Sequence, residues 1–364
     1  MRRKSLSVQV GNVKIGGEAP VSIQSMTNTP TADIEATLRQ IDELYQAGCE
    51  LVRVAVTDEH SARCIGVLKR YSPIPVIADI QFDFRLALIS LDEGADKIRI
   101  NPGNIGGEDK FVRIINKAKE KGVPLRIGVN SGSISSKIRV KYGSATAEAL
   151  VESALEAISF LEKNSFYDII VSLKAANVVT TVKAYKMIAD RIPYPLHLGV
   201  TEAGRGMKGA IKSSLGIGAL LLEGIGDTIR VSLTGDPLQE IYLAKEILQA
   251  AGLRSFGPEI ISCPTCGRCK IDLETLVKKV EEMVENINYP LKIAVMGCPV
   301  NGPGEAREAD IGISGGNNFG IIFKEGKVFK KVASEDLFKT LREEIIKMIE
   351  QKTMNDVTRN GGEL

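Results

Sequence analysis

The sequence predicts an α/β protein, a (β/α)8 TIM barrel followed by a smaller α+β domain. Three observations lead there. Short β-branched runs alternate with helix-period segments up to about residue 255, and eight such units in about 250 residues match the size of that barrel. After the connector "LRSFGP" (253–258) the pattern restarts with a different order of elements. The chain of 364 residues is too long for one ordinary domain and suits a barrel plus a smaller unit. A doubly wound open sheet is the competing architecture. The lack of a Gly-rich dinucleotide fingerprint after the first strand weakens it.

The barrel strands read in order as "VSIQSM" (21–26), "LVRVAV" (51–56), "PVIADI" (75–80), "KIRINPG" (97–103), "LRIGVNSG" (125–132), "DIIVSLKA" (168–175), "PLHLGVTEA" (195–203) and "TIRVSLTG" (228–235). In the first helix, "TADIEATLRQIDELYQAG", the residues Ile34, Leu38, Ile41, Leu44 and Tyr45 share a face, and Gly48 ends it. "RGMKGAIKSSLGIGALLLEGIGD" (205–227) reads as a loop and the seventh helix. Its glycines suit a phosphate cradle and close packing equally. The last barrel helix has Asp236 as its cap, Pro237 in its first turn and Gly252 at its end. Residues 1–254 are thus expected to form the substrate-binding barrel.

Residues 255–352 are expected to form the second domain. "EIIS" is a strand leading into a cysteine loop, and "DLETLVKKVEEMVENI" is a helix. "LKIAVMG" is a strand leading into "CPVNGPGEA"; "DIGIS", the hairpin-like "FGIIFKEGKVFKKV" and a helix over 335–351 follow. Residues 353–364 are polar and read as a loose tail.

An apolar fraction of 44% and a charged fraction of 25% are those of a soluble globular protein. The net charge of +2 gives no general reason to expect nucleic acid or an anionic membrane as partner. The opening "MRRKSLSVQVGNVKIGG" has no apolar core of signal-peptide length. No run approaches the roughly 18 apolar residues of a membrane span. A cytoplasmic protein is expected, and there thiols stay reduced, so a cysteine cluster reads as metal-binding or redox before disulfide. Cys49 and Cys64 lie in or beside barrel helices and read as inert packing.

Four strands repeat one feature. Arg53, Arg99, Arg126 and Arg230 each sit between apolar neighbours within a strand. Strand side chains alternate, so if the neighbours face the helices, the arginines face the barrel interior. Asn101, Asn130 and Ser232 continue the same face. Internal ion pairs with Asp79, Glu202 or neighbours would account for one such arginine. Four converging guanidiniums instead ask for an anion with several oxygens, because unpaired buried charge costs several kcal/mol each. The guanidinium fork fits a phosphate or diphosphate. Asp79 ends the third strand, Lys174 the sixth, and His197, Thr201 and Glu202 belong to the seventh. A lone histidine is more often structural than catalytic, although this one has a strand position.

"ISCPTCGRCK" (261–270) sets Cys263, Cys266 and Cys269 as Cys-x2-Cys-x2-Cys, and a distant Cys298-Pro299 follows. That resembles a ferredoxin run. Four thiolates also suit tetrahedral zinc, although zinc ribbons usually repeat the Cys-x2-Cys pair. Spacing alone leaves iron–sulfur, zinc and a coincidental group of thiols open.

"SCPTCGR" followed by "GCPVNGPGEA", on a chain with these arginines, resembles the 4-hydroxy-3-methylbut-2-enyl diphosphate synthase family. The likeness runs from about residue 5 to about residue 350 and includes "SIQSMTNT", "RINPGN", "RIGVNSGS", "HLGVTEAG" and "IRVSLTGDP". The resemblance implies a [4Fe–4S] cluster held by Cys263, Cys266, Cys298 and Glu305, with Cys269 outside the ligand set. A carboxylate exchanges more readily than a thiolate, so one iron is left able to open. The resemblance also implies reductive ring opening of 2-C-methyl-D-erythritol 2,4-cyclodiphosphate. Arg53, Arg99, Arg126, Lys174 and Arg230 would surround the diphosphate; Asp79, Asn101, Asn130, Glu202, Ser232 and Asn301 would line the remainder. Glu202 and His197 are the candidates for proton delivery, with ferredoxin or flavodoxin as electron donor. A homodimer is implied, with the cluster domain of one subunit closing over the barrel of the other. A barrel enzyme on another phosphorylated molecule, with structural zinc, is the main alternative. A pure electron carrier would need no ring of arginines, and the Cys-x3-Cys-x2-Cys pattern of radical enzymes using S-adenosylmethionine is absent from the sequence.

Overall fold

The computed structural model describes residues 2–299, 304 and 306–360. The chain divides between Arg254 and Ser255 into two compact units.

The first unit opens with an antiparallel hairpin, β1 (Val8–Val10) and β2 (Val13–Ile15). These short strands fall outside the barrel pattern read from the sequence. Strands and helices then alternate: β3 (Ser22–Met26), α1 (Ile34–Gln46), β4 (Leu51–Val56), α2 (Glu59–Tyr71), β5 (Val76–Ile80), α3 (Phe84–Asp92), β6 (Lys97–Ile100) and α4 (Glu108–Lys121). The second half continues with β7 (Leu125–Asn130), α5 (Ser136–Tyr142), α6 (Ala147–Lys163), β8 (Ile169–Lys174), α7 (Val178–Ala189), β9 (His197–Leu198), α8 (Gly206–Leu222), β10 (Thr228–Ile229) and α9 (Pro237–Ala250). Strands β3 to β10 form one parallel sheet in the order β8-β7-β6-β5-β4-β3-β10-β9. A bridge between Val171 and Leu196 joins β8 to β9, so the sheet curls into the expected TIM barrel.

The local signals explain the elements. The Asp236 carboxylate accepts from Leu238 N and caps α9, with Pro237 in the first turn. On α1, Ile41 and Leu44 are buried, but Tyr45 is exposed; the apolar stripe is narrower than its sequence suggests. Gly48 follows that helix at φ +99°, a conformation open to glycine. Strands β9 and β10 keep two residues each where eight or more were expected. Beyond Ile229 the backbone turns to other partners: Leu233 N donates to the Glu240 carboxylate at 3.0 Å and Thr234 N to Gly204 O at 3.0 Å. The short helix α5 is an insertion that the sequence pattern did not signal.

The barrel interior changes character along the strands. Val8, Val10 and Ile15 of the hairpin pack on Leu51, Ile77 and Ile170, near the starts of β4, β5 and β8. The strand starts are thus sealed by an apolar plug. Charged side chains occupy the interior further on.

The second unit contains β11 (Glu259–Ser262), α10 (Leu273–Val284), β12 (Lys292–Met296), β13 (Ile311–Gly315), β14 (Phe319–Lys324), β15 (Lys327–Ala333) and α11 (Leu337–Asn360). The sheet order is β11-β12-β13-β14-β15, parallel among the first three strands and antiparallel thereafter. Leu273, Val280 and Val284 of α10 and Leu337, Leu341 and Ile345 of α11 pack on Ile293, Val295, Ile311, Ile313 and Ile322 of the sheet. The last helix runs past its expected end at 351, because no glycine or proline interrupts it before Gly361. The segment read as a loose tail is therefore helical as far as Asn360.

Candidate active site

In a parallel barrel, residues directly across in register share a face. Asp79 pairs in register with Arg99, Arg99 with Arg126, and Arg53 with Met26. The four arginines enter the barrel as expected, and burial of the first three is nearly complete, with Arg53 9%, Arg99 5% and Arg126 1% exposed.

Their partners are few. Arg99 Nη1 donates to Asp79 Oδ1 at 2.9 Å, and Arg53 Nε lies 3.7 Å from Asp79 Oδ2. Gln81 also donates to Asp79 at 3.2 Å. Arg230 makes a two-armed contact with Glu240 of α9, Nε at 3.3 Å and Nη2 at 3.2 Å. Ser25 Oγ donates to the same carboxylate at 3.0 Å. Glu240 is a partner that sequence reasoning missed, since an acidic residue in the first turn of a helix signals nothing beyond the helix dipole. Glu202, named beforehand as a possible partner, is exposed at φ 55° and makes no ion pair among the described residues.

Lys97 is the other omission. It is fully buried at the start of β6, two residues before Arg99 and so on the same strand face. Period-two reading of "DKIRI" would have found it. With Arg53, Arg99, Arg126, Lys174 and Arg230 it makes six interior cations, against the carboxylates of Asp79 and Glu240. Lys97 Nζ, Arg99 Nε, and Arg126 Nε and Nη1 are buried without a hydrogen-bond partner among the described residues. Gln24 and Thr228 add unpartnered polar atoms on neighbouring strands.

Electrostatics follow from that imbalance. Burial opposes charge on the Asp79 carboxyl, but Arg53, Arg99 and Arg126 outweigh it and hold it below the usual carboxylate range. Burial, then the neighbouring cations, push the Lys97 and Lys174 amines well below the usual lysine range. Arg53 falls to about 10, from burial and from Arg230 and Arg99, against the pull of Asp79. His197, at the start of β9, is fully buried, and among the described residues both ring nitrogens lack hydrogen-bond partners. Burial and then Lys174, Arg126, Lys97 and Arg53 keep it neutral.

Close backbone packing makes room for the long side chains. A Cβ on Gly199 would lie 2.5 Å from Lys174 Nζ and 2.6 Å from Arg230 O; one on Gly128 would lie 2.7 Å from Arg99 Nε. The glycines of "LGV" and "IGVN" thus admit Lys174 and Arg99. Asn101, buried after β6, accepts from Gly103 N at 3.2 Å and shapes the loop there. Asn130 ends β7, while Thr201 and Ser232 are half-buried beyond β9 and β10.

In the second unit, β11 and β12 run parallel, with Ser262 opposite Val295. Both strands end in cysteine-bearing loops. Gly297 N donates to Cys263 Sγ at 3.2 Å, and Cys298 O accepts from Ser314 Oγ at 2.8 Å. Cys263 therefore meets the loop that carries Cys298. Cys266 is exposed and Cys298 buried. Cys269 is differently placed: its Sγ donates to Ile271 O at 3.2 Å, and a Cβ on Gly297 would lie 2.5 Å from that sulfur. Among the described residues no three Cys, His, Asp or Glu side chains are gathered as a metal cage. Asn301 and Glu305 lie outside the described residues. Cys49 and Cys64 are buried in the barrel unit; burial pushes the Cys49 thiol up to about 12, and Cys49 Sγ donates to Leu51 O at 3.1 Å. Both have the packing role expected of them.

Fold and site together define a TIM barrel with an excess of interior cations, joined to an α+β domain with thiols at adjacent strand ends. Residues 5–245 match the GcpE TIM-barrel domain and residues 259–347 the GcpE protein C-terminal domain. The chain belongs to the GcpE family. It is 54% identical over 352 residues to the 4-hydroxy-3-methylbut-2-en-1-yl diphosphate synthase (flavodoxin) of Caldanaerobacter subterraneus subsp. tengcongensis, spanning 97% of this chain and 99% of that protein. The protein of the same name from Clostridium perfringens is 54% identical over 349 residues, spanning 96% and 99%. Among solved structures, 3-dehydroquinate dehydratase of Geobacillus kaustophilus superposes with a TM-score of 0.50 at 16% identity, over 69% of this chain and 99% of that one. That likeness concerns the fold alone. Among the described residues no helix is long and apolar enough to cross a membrane.

Proposed function

We propose that this chain converts 2-C-methyl-D-erythritol 2,4-cyclodiphosphate to 4-hydroxy-3-methylbut-2-enyl diphosphate, the activity for which its relatives are named, with flavodoxin as electron donor. The observation that supports this best is the donor surplus in the barrel. Six interior basic side chains, five of them buried and Arg230 half-buried, share two carboxylates, and among the described residues Lys97, Arg99 and Arg126 hold unpartnered N–H groups. A cyclic diphosphate brings the missing acceptor oxygens, and charge-assisted forks to phosphate are among the stronger hydrogen bonds.

In this reading Arg53, Arg99, Arg126, Lys174 and Arg230 clamp the diphosphate, and Asp79 orients two of those guanidiniums. Asn101, Asn130, Thr201 and Ser232 line the remainder, with Asn301 and Glu202. For fully protonated species the conversion consumes two electrons and two protons. The ring C–O bond and one C–OH bond break, an alkene forms and water leaves. In this reading Glu202, exposed near the end of the seventh strand segment, supplies protons from solvent. His197, buried and held neutral, is the second candidate for proton delivery in this reading.

Cys263, Cys266, Cys298 and Glu305 would hold a [4Fe–4S] cluster. Two adjoining loops carry the three thiols, and the commitment of Cys269 Sγ to a backbone carbonyl fits its exclusion. When bound, such a cluster supplies single-electron transfer and a Lewis-acidic iron. The homodimer with the cluster domain closing over the partner barrel belongs to the same reading.

Anaerobically purified protein is expected to show the broad absorption of an iron–sulfur protein, with iron and sulfide. It should convert the cyclic diphosphate when given reduced flavodoxin. Cys269→Ser should retain spectrum and turnover, and Cys266→Ser should lose both. A colourless zinc protein, or loss of the cluster on Cys269→Ser, would overturn the assignment.

A further inference from the structure

The edge of the second unit's sheet carries an unexplained surface. β15, "KVFKKVA", is the last strand in the order and six of its seven residues are exposed. Val328 is 64% and Phe329 50% exposed. Lys324 Nζ lies 4.3 Å from the Phe329 ring centroid but is paired with Glu344; Lys331 Nζ lies 4.0 Å from the Phe319 ring. Lys327, Lys330 and Lys331 join no ion pair among the described residues. Glu325 is the acidic residue within this hairpin, and Glu335 and Asp336 follow beyond the strand end. On a chain whose net charge is +2, this is a local concentration of positive charge around an exposed apolar centre.

Register ties part of the strip to the face on which Met296, Ala309 and Phe323 pack. Val328 lies opposite Phe323 and Lys331 opposite Ile321. Ile321 and Cys263 pack against Ala294, Met296, Ala309 and Phe323, so Val328 and Lys331 project from that sheet face. Lys330, opposite Ile322, and Lys327, opposite Lys324, project from the face that α11 covers, and the strip presents both sets along the open edge. The Ala333 end of β15 meets Phe319, next to the Gly315 end of β13, and Ser314 there holds the Cys298 carbonyl. Three strand spacings separate β12 from β15, about 14 Å.

We propose that the β15 edge is the docking surface for an acidic, flavin-bearing electron carrier of the flavodoxin kind. Lys327, Lys330 and Lys331 meet its carboxylates, and Val328 and Phe329 form the apolar centre. The proposal rests on the reductase reading above. A donor that must bind, deliver one electron and leave suits a small interface steered by charge. Lysines on edge strands also prevent edge-to-edge pairing between sheets. Charge reversal separates the two roles, because glutamates block pairing equally well while repelling an acidic partner.

The test compares the wild type with the Lys327→Glu, Lys330→Glu, Lys331→Glu triple variant in two assays. Flavodoxin-supported turnover should show a KM for flavodoxin raised about tenfold or more, because steered association depends on those charges. Turnover driven by dithionite and methyl viologen should be unchanged. Calorimetric titration with oxidised flavodoxin should show the same loss of affinity, and wild-type affinity should fall as salt rises. An unchanged flavodoxin KM and affinity in the triple variant would overturn the docking surface. So would a parallel fall in both kinds of turnover, which would mark the strand as structural. Wild-type protein inactive with either reductant, yet still binding flavodoxin through these lysines, would instead refute the reductase reading and leave the surface standing.

Discussion

Lys97 Nζ lies inside the barrel without a hydrogen-bond partner among the described residues, and burial with Arg126 and Arg53 beside it drives its amine toward the neutral form. Such a side chain is expensive for the fold, and the proposed function gives it an anion to receive. Lys97→Met is therefore expected to raise thermal stability, by about 1–3 kcal/mol from removing an unsatisfied buried group. Its sign with pH follows from linkage. The unfolded chain binds the proton that the folded chain releases, so the gain grows as pH falls below the ordinary lysine range. The same variant should bind the cyclic diphosphate several-fold more weakly. Calorimetric unfolding and titration would check both, and a loss of stability would show that Lys97 is satisfied in solution.

At the scale of elements, α9 links a turn signal to the site. Its Asp236 cap fixes the first turn, and Glu240 in that turn holds Arg230 with both oxygens. Asp236→Ala is expected to lower stability by about 1 kcal/mol, the usual value of an N-cap, and to leave the iron–sulfur spectrum unchanged. Thermal unfolding and absorption would test this. The cap was legible in "TGDPLQE"; that Glu240 serves Arg230 was not, because the contact depends on where α9 docks. Tyr45 is a similar case, since its helical periodicity is apolar but the packing leaves it outside.

For the whole barrel, one carboxylate organises the interior charge. Asp79 is held below the usual carboxylate range by Arg53, Arg99 and Arg126. A depressed folded-state value means that its contribution to stability is present above the unfolded carboxylate pKa. That contribution is lost as pH falls through the depressed value. Barrel stability should therefore persist down to about pH 4, where free carboxylates begin to titrate, and decline below it. Asp79→Asn at neutral pH leaves Arg53 and Arg99 without their anion and is expected to cost about 3–5 kcal/mol. Circular dichroism melts across pH, with and without the substitution, would reveal a variant that has lost this acid limb.

By itself the sequence determined the period of the elements, the order of barrel and second domain, the strand faces that carry Arg53, Arg99, Arg126 and Arg230, and the loops that carry the cysteines. These are local or periodic properties, readable from alternation and spacing. Tertiary structure alone decided which charges stay paired. Asp79 joins two arginines across three strands, Glu240 arrives from a helix, and Lys97 reaches the interior from the strand start with no partner among the described residues. The opening triplet of thiols was likewise uniform in spacing, and folding separated it: Cys263 meets the Gly297 amide, Cys266 faces outward, and Cys269 turns to the Ile271 carbonyl. Spacing fixes how far apart residues are along the chain. Which donor finds an acceptor depends on segments far apart in sequence and adjacent only after the sheet closes.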